Sequence, residues 1–544
     1  MPNQQIPVGA PVKTRTTTNS LELSSKLRQT CGLSGPDVAH VTQFLRNADL
    51  DVKTYHSEIK KRHAEIISLQ NRMEGLQRHA EAYGSLLAPI RKLPLELLTK
   101  LFVEYCADGN VLGEEVVCPA LVLSHVSGGW RELALSTPKL WSNLSVDFDY
   151  HQREGWASMI KVMMTRSKKS PLTLSIHSED TFEDIDACLP AIQTLAEHSS
   201  HWHTVTLDID DQSFLHPALS NIRWRLPMLE SLAMKCNWNL EDPADPVELF
   251  DTAPKLTTFR GNGVTAADPK LPWNQITSLH LVDSTLLNTL QVMEVCPQLI
   301  DMSYEGTLAD NEEDEYPQTV PSFKGVFSLS LNPGNRSTDM LSLLSSWITL
   351  PQLQTLSIFT DLEFVAWAWK DVDMPQFITR SGCQITTLSL KSLPITDLDL
   401  IPILTACPSL TKLILHESSA KTDYAEQGPQ ADIPNLAVTH DLVSKLTVNH
   451  AGYAPASVVP MISKLEDLEL CFHYNNDGRR LVEALCTLVR TRWLPDKEYA
   501  DDVGVACLRS VSFLVMGSGF RPEYFAIPTY LGEVGLRFSA TRIL

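Results

Sequence analysis

A short apolar pattern that recurs along the chain constrains its fold more than any other feature. The pattern is Leu-x-x-Leu-x-Leu, with other apolar residues allowed at the three Leu positions, and twelve copies lie between residues 202 and 513. Most copies begin 20 to 33 residues after the previous one, and such a period indicates stacked structural units. The copies begin at Trp202, Leu229, Leu256, Ile276, Leu299, Val326, Leu353, Ile385, Leu410, Val443, Leu465 and Leu508.

Each repeat unit reads as a helix, a proline turn and a short strand. Apolar residues with helical spacing, such as Leu286, Leu290 and Met293, precede the prolines, and proline ends a helix. Stacked units of this kind form a parallel sheet with helices outside it. The period and the pattern resemble leucine-rich repeats. We therefore predict an α/β protein with a leucine-rich-repeat solenoid over residues 165–516 and a C-terminal cap or tail over 517–544.

A heptad pattern precedes the repeats and predicts a coiled-coil-like helix over residues 45–88, after a disordered leader over 1–44. Two interpretations remain open. In the first, the chain self-associates through residues 52–87; in the second, one amphipathic helix packs on the rest of the chain. One seam consists of Val52, Ile59, Ile66, Met73, Ala80 and Leu87, and the other of Tyr55, Leu69, Leu76 and Tyr83 with the polar Arg62.

Residues 89–150 contain a motif between the heptads and the repeats. It reads Leu93-Pro94-x-Glu96-Leu97-Leu98-x-x-Leu101-Phe102, then Val126-x-x-x-Trp130-Arg131-x-Leu133-Ala134, then Leu140-Trp141. This motif resembles a three-helix F-box. The order of N-terminal helix, F-box and repeats resembles a large fungal class of F-box-like proteins. Ser127-Gly128-Gly129 departs from that class, which usually has a Cys and basic residues on a helix there. The glycines lie either inside a helix or in the turn between the second and third helices.

The resemblance implies a substrate-recognition subunit of a cullin–RING (SCF-type) ubiquitin ligase, and no enzymatic activity of its own. The F-box would bind a Skp-type adaptor and through it a cullin, and the repeats would bind the protein to be degraded. Three short helices cannot bury all their apolar residues among themselves, so a partner must cover some. The residues expected to bind the adaptor are Leu93, Pro94, Leu97, Leu98, Leu101, Phe102, Val122, Leu123, Val126, Trp130, Leu133, Leu140 and Trp141.

Two alternatives to this interpretation remain. In the first, the three-helix segment caps the N-terminal end of the solenoid, which also needs covering. In the second, the chain is a ligase-independent leucine-rich-repeat scaffold with a degenerate F-box, which the Ser127-Gly128-Gly129 departure favours.

The face of the sheet that points away from the core is the expected site for the unknown protein substrate. Side chains alternate along a strand, so the x residues between core leucines face solvent. Phe359 and Ile414 would be isolated apolar anchors among polar residues, as on protein-binding surfaces. The expected binding residues are Lys235, His280, Phe359, Lys391, Lys412, Ile414, His416 and Glu469.

Charge and composition exclude several classes of function. The net charge is −20, and because residues 1–91 carry +4, the remainder carries −24. A strongly acidic body repels phosphate backbones, so we expect no nucleic-acid partner. No run of about 18 apolar residues occurs, so we expect no membrane span. The eleven cysteines are scattered, and the N-terminus lacks an apolar signal segment, which indicates a cytoplasmic or nuclear protein.

Motifs for catalysis and for cofactor binding are missing from the sequence. We find no Gly-x-Ser-x-Gly, no phosphate-binding Gly-x-x-x-x-Gly-Lys and no His-Glu-x-x-His. The pairs Asp147-x-Asp149 and Asp208-x-Asp210 have oxygen ligands for a divalent metal. Short acidic pairs are common in a chain with 65 acidic residues, so we interpret them as solvated loops. We therefore expect no catalytic residues, no cofactor and no metal.

Overall fold

A computed structural model of the 544-residue chain divides into two compact units, Met1–Leu98 and Thr99–Leu544. Each unit is described by itself. The residues that the structure describes are 12–17, 19–28, 32–150, 155–178, 185–209, 217–235, 248–266, 270–306, 320–333, 341, 346, 348–360, 369, 372–417, 436–450, 460–474, 478–517 and 520–543.

The first unit consists mainly of helix α1, Ser20–Leu27, and the long helix α2, Gly35–Ser85. Helix α2 begins ten residues before the predicted start at 45, because the Ser34 hydroxyl caps it and Pro36 occupies its first turn. The carboxylate of Asp51 accepts the backbone N–H groups of Arg15 and Thr16, each at 2.9 Å. Part of the predicted disordered leader is therefore helical or attached to α2, and residues 1–11 lie outside the described residues.

The second unit is built on one sheet of sixteen strands in the described residues, confirming the predicted α/β fold with a parallel sheet. Strands β3 to β16 follow one another in chain order, all parallel, and β1 and β2 continue beyond β3. Among the strands of the described residues, only β1 and β2 pair antiparallel. The strands are β1 Asn110–Leu112, β2 Val116–Val117, β3 Asn143–Asp147, β4 Leu172–His177, β5 Trp202–Asp208, β6 Ser231–Met234, β7 Thr258–Asn262, β8 Ser278–Val282, β9 Asp301–Glu305, β10 Ser328–Asn332, β11 Thr355–Phe359, β12 Thr387–Leu393, β13 Lys412–Glu417, β14 Asp467–His473, β15 Ser510–Met516 and β16 Arg537–Ile543.

Helices connect many of these strands, as expected for parallel neighbours, which need a crossover. The α-helices are α3 Leu95–Tyr105, α4 Pro119–Val126, α5 Gly128–Ser136, α6 Trp156–Ser167, α7 Ile185–Glu197, α8 Pro217–Ser220, α9 Leu286–Glu294, α10 Met374–Ser381, α11 Asp397–Thr405, α12 His440–Leu446, α13 Gly478–Arg492, α14 Lys497–Val503 and α15 Ala526–Glu533. Short 3-10 helices cover Pro89–Lys92, Pro138–Trp141, Phe148–Tyr150, Ser199–His201, Trp273–Gln275 and Pro522–Phe525.

The core of the sheet consists of apolar residues at alternate strand positions. Neighbouring strands pair in the same register, so the apolar residues of one repeat lie beside those of the next. One such row runs through Leu329, Leu356, Leu388 and Leu413, all at most 3% exposed. This is the alternation that the repeat pattern predicts.

The sheet extends beyond both predicted ends of the solenoid. Strands β1 and β3 lie before residue 165, within the predicted F-box domain. The C-terminal segment forms one more repeat, because α15 leads into β16, which pairs in parallel with β15. The ring of Phe538 in β16 lies 5.9 Å from that of Phe513 in β15. Residues 517–544 therefore include a full repeat. Its strand, β16, is the last strand at that end of the sheet.

The predicted repeat that begins at Val443 is wrong. Its residues Val443 and Leu446 lie in helix α12, which the Thr439 hydroxyl caps by accepting the backbone N–H of Leu442 at 3.2 Å. Apolar residues three apart also lie on one face of a helix, so the first half of the pattern fits both structures. The other eleven predicted copies contribute to strands β5 to β15.

Candidate protein-interaction surfaces

Helices α3, α4 and α5 form where the sequence predicts three helices. The ring of Phe102 on α3 meets the ring of Trp130 on α5 edge to face, with 4.8 Å between centroids. Phe102 on α3 and Cys106, which directly follows α3, are buried, and Leu123 is buried on α4. Each of these helices thus has one apolar face turned inward.

Ser127-Gly128-Gly129 lies at the junction of α4 and α5. Ser127 ends α4, and its hydroxyl caps α5 by accepting the backbone N–H of Trp130 at 3.2 Å. Gly128 and Gly129 are the first two residues of α5, and a Cβ atom on either would meet nothing within 4 Å. The glycines therefore lie at the start of the third helix and do not interrupt a helix.

A second apolar face on α3 and α4 is open to solvent. On α3, Leu101 and Tyr105 are 51% and 58% exposed, and on α4, Val122 and Val126 are 56% and 57% exposed. Each pair is four residues apart and so lies on one side of its helix. Exposed apolar faces mark interaction sites more often than single exposed residues do. These two exposed sides, Leu101 and Tyr105 on α3 and Val122 and Val126 on α4, are together called the apolar helix face below.

The predicted adaptor-binding residues fall into three groups. The exposed ones can meet a partner directly, whereas the buried ones can only support the surface. Exposed are Pro94, Leu97, Leu101, Val122 and Val126; half-buried are Leu93, Trp130 and Leu133; buried are Leu98, Phe102, Leu123, Leu140 and Trp141.

Leu140 and Trp141 lie in the core, and their part in adaptor binding stays a prediction. Trp141 is fully buried, and its indole N–H donates to the carbonyl oxygen of Ala134 at 2.9 Å. The guanidinium of Arg166 on α6 lies 4.4 Å from the centre of its ring. The side chain is therefore packed between the three helices and the first repeats.

The face of the sheet that points away from the core is called the open face. All the residues predicted to bind substrate lie on it except Lys235, which directly follows β6. Lys235 and Lys412 are exposed, and the other six are half-buried. The strand register places Lys391 beside His416 and Ile414 beside Glu469, so β12, β13 and β14 bring four of them together. Phe359 is the register partner of Lys391 and extends the group to β11.

Imidazoles on the open face lie within hydrogen-bonding distance of neighbouring carboxylates. The Nε2 atom of His416 lies 2.7 Å from Oε1 of Glu469, and His280 lies 3.4 Å from Glu305. Burial lowers the pKa of His416 and of His280, and the neighbouring glutamates only partly oppose this. Both histidines are therefore neutral at pH 7, and they offer hydrogen bonds to a ligand more than positive charge.

Two rows of hydroxyl side chains cross the open face, and the sequence analysis missed them. In each repeat, the residue of the first row comes directly before the second apolar residue of the pattern. The residue of the second row comes directly after that apolar residue. The sequence signal for these rows is a Ser or Thr that recurs next to the second apolar residue of the repeats, as in Thr-Leu-Ser of β11 and β12. The first row includes Thr173, Thr204, Ser231, Thr258, Ser278, Ser328, Thr355 and Thr387; the second includes Ser303, Ser330, Ser357 and Ser389.

A polar cluster lies where strands β3 to β5 end. Asp147, Asp149 and His177 each place one ligand atom within 4.8 Å of the others, a spacing that is compatible with a shared divalent cation. His177 and Asp149 also have polar partners outside this group. Nδ1 of His177 lies 3.1 Å from the carboxylate of Asp208, and the Ser178 hydroxyl donates to Asp149 at 3.0 Å. Lys235 adds a positive charge 3.0 Å from Asp208. Asp147, Asp149 and Asp208 thus belong to a hydrogen-bonded network at the strand ends, and Asp210 lies outside the described residues.

Glu417 fixes the end of β13 beside His416. It is buried, and its two carboxylate oxygens accept the backbone N–H groups of Val438 and His473, each at 2.8 Å. Burial raises the pKa of Glu417 above the ordinary value of 4.5, and the two N–H groups oppose this only in part. The side chain ties the open face to the neighbouring repeat.

We expect wild-type protein to gain stability relative to a Glu417→Gln variant as the pH falls from 7 to 5. Because the folded pKa is raised, the folded state binds the proton more tightly than the unfolded state does. The stabilising contribution is complete below the unfolded pKa and is lost as the pH rises through the folded pKa. Urea midpoints at both pH values measure it, with the exposed Glu483→Gln as control. A pH-independent difference between wild type and Glu417→Gln would contradict the raised pKa.

None of the helices in the described parts of the chain is long and apolar enough to cross a bilayer. No protein-family model matches the chain, and no curated protein matches it either. The apolar helix face and the open face are therefore identified by their residues and geometry alone.

Proposed function

We propose that the chain is the substrate-recognition subunit of an SCF-type ubiquitin ligase. The apolar helix face is the observation that carries this proposal. Leu101, Tyr105, Val122 and Val126 stay exposed although each helix already buries an apolar face. A stable surface of this kind needs a partner, and the F-box-like sequence of these helices assigns that role to a Skp-type adaptor.

The open face would hold the protein to be ubiquitinated. Phe359 and Ile414 are half-buried and lie among hydroxyl groups and paired charges, so a ligand there would gain a few apolar contacts and many hydrogen bonds. The face carries lysines as well as glutamates, so it has no stripe of one charge sign that would select a strongly charged substrate.

A second function has its own support. Strand β1 lies between α3 and α4 and pairs with β3, so the three-helix segment is also the first part of the solenoid. The amide of Asn110 donates to the carbonyl oxygens of Leu140 and Asn143, at 3.0 and 3.1 Å. This integration favours a ligase-independent repeat scaffold in which the segment caps the sheet.

Adaptor binding by the full-length chain separates the two functions. We expect Leu101→Asp with Val122→Asp to weaken binding of a purified Skp-type adaptor by about 100-fold, because two carboxylates would be desolvated in the interface. Both positions are exposed, so the melting temperature should change little. Isothermal titration measures the affinity.

The matched control is Leu398→Asp, which alters a leucine on α11 that is 77% exposed. It should leave adaptor binding unchanged. If the wild-type chain binds no adaptor, or if the double variant binds as wild type does, the ligase proposal fails and the scaffold function remains.

A further inference from the structure

The long helix α2 leaves its heptad seam uncovered. Asp51 is the one residue that is buried among the 51 of this helix, all of which the structure describes. A helix with an apolar stripe of this length needs a partner for the stripe. The seam residues Val52, Tyr55, Ile59, Ile66, Leu69, Met73, Leu76 and Tyr83 are each at least 44% exposed.

We propose that a second copy of this chain covers the seam, forming an antiparallel coiled coil in which Ile66 of one copy packs against Leu69 of the other. The contact runs from Val52 to Tyr83, which is about 47 Å of helix at about 1.5 Å per residue. This inference does not depend on the proposed ligase function.

The core layers of this arrangement combine residues of complementary size. In an antiparallel pair, each residue of one seam row faces a residue of the other row. With Ile66 facing Leu69, the small Ala80 faces the large Tyr55 and Val52 faces Tyr83, so no layer contains two aromatic rings. The other layers are Ile59 with Leu76 and Met73 with Arg62.

Arg62 excludes the parallel in-register alternative. In a parallel dimer, Arg62 would face Arg62 of the other copy within the core, where like charges are costly. In the antiparallel dimer it faces Met73, and its aliphatic stem can lie along that side chain. Its guanidinium keeps its partners on the same helix, Glu58 at 3.0 Å and Glu65 at 3.3 Å.

Charges beside the seam select the register. With Ile66 against Leu69, Glu65 lies opposite Arg72 of the other copy, and Glu58 lies opposite His79, because helical side chains lean toward the N-terminus. A shift of one heptad in either direction brings Glu65 against Glu65 or Arg72 against Arg72. The chosen register is therefore the one that pairs opposite charges without like-charge contacts.

Charge exchange in the full-length chain tests the orientation. We expect wild type to sediment as a dimer at micromolar concentration, and Glu65→Arg to raise the dissociation constant about tenfold, because it faces Arg72 twice in each dimer. Adding Arg72→Glu should restore the wild-type value. The control Arg78→Glu lies on the opposite side of the helix and should have no effect. A monomeric wild type, or a double variant no better than Glu65→Arg, would overturn the proposal.

Disulfide trapping tests the register directly. A mixture of Ile66→Cys and Leu69→Cys chains should form a mixed disulfide, because antiparallel packing brings these two positions to bridging distance. Ile66→Cys alone should not cross-link to itself above the wild-type background. Efficient self-cross-linking of Ile66→Cys would show a parallel dimer and would refute the proposed orientation.

Discussion

Replacing Arg492 by leucine is expected to destabilise the C-terminal repeats by about 3 kcal/mol or more, since each hydrogen bond from a charged group contributes about 1.5–3 kcal/mol. The side chain is fully buried in helix α13. Its guanidinium donates to three backbone carbonyls, those of Leu446 at 2.6 Å, Met461 at 2.7 Å and Ile462 at 2.8 Å. Leucine would leave all three carbonyls without this donor in a buried place.

The charge of Arg492 persists despite its burial. Desolvation lowers the pKa of Arg492 to about 10, so the group remains protonated at neutral pH and all its donors stay available. Lysine can replace only part of the three-carbonyl geometry, so Arg492→Lys should have an intermediate effect. Arg492 is at least 30 residues away in the chain from each of its three acceptors, so its hydrogen bonds connect different repeats. Loss of this one side chain should therefore affect more than one repeat.

Urea unfolding and hydrogen exchange measure the effect of the Arg492 variants. Exchange should accelerate mainly in α12, α13 and the adjoining strands, because repeat proteins are stabilised by their nearest neighbours. Arg490→Met is the matched control, since Arg490 is exposed on the same helix. A loss below about 1 kcal/mol for Arg492→Leu would show that the three carbonyls find other donors at little cost.

Replacing Trp141 by alanine is expected to cost about 3–5 kcal/mol, the usual loss for truncating a buried large aromatic residue. The indole is fully buried, and its N–H donates to the carbonyl oxygen of Ala134. The guanidinium of Arg166 lies over the face of its ring. Trp141→Phe keeps most of the ring but loses the hydrogen bond, so about 1 kcal/mol should be lost.

The Trp141 variants distinguish a core residue from an adaptor contact. Thermal melting should shift strongly for Trp141→Ala and slightly for Trp141→Phe. Trp224→Ala is the control, because Trp224 is 71% exposed and its removal should be nearly neutral. Unchanged stability together with lost adaptor affinity would instead return Trp141 to the binding surface.

Much of the fold followed from the spacing of apolar residues. Strands β5 to β15 coincide with repeat copies, because alternating side chains put the same residues of each copy into the core. Strands β1 and β2 were harder to predict, since three and two residues are too few to show a period. The copy at Val443 failed because a spacing of three residues fits a helix as well.

The sequence by itself determined the helical seam of α2, the order of helices and strands, and the alternation that separates the core from the open face. Those properties depend on residues close together in the chain, whose spacing dictates local structure. Only the tertiary structure decided that Trp141 is core, that Glu417 and Arg492 each join different repeats, and that hydroxyl groups align in rows. These features depend on contacts between segments that are far apart in the chain. The spacing of residues within one segment does not indicate which other segment makes the contact.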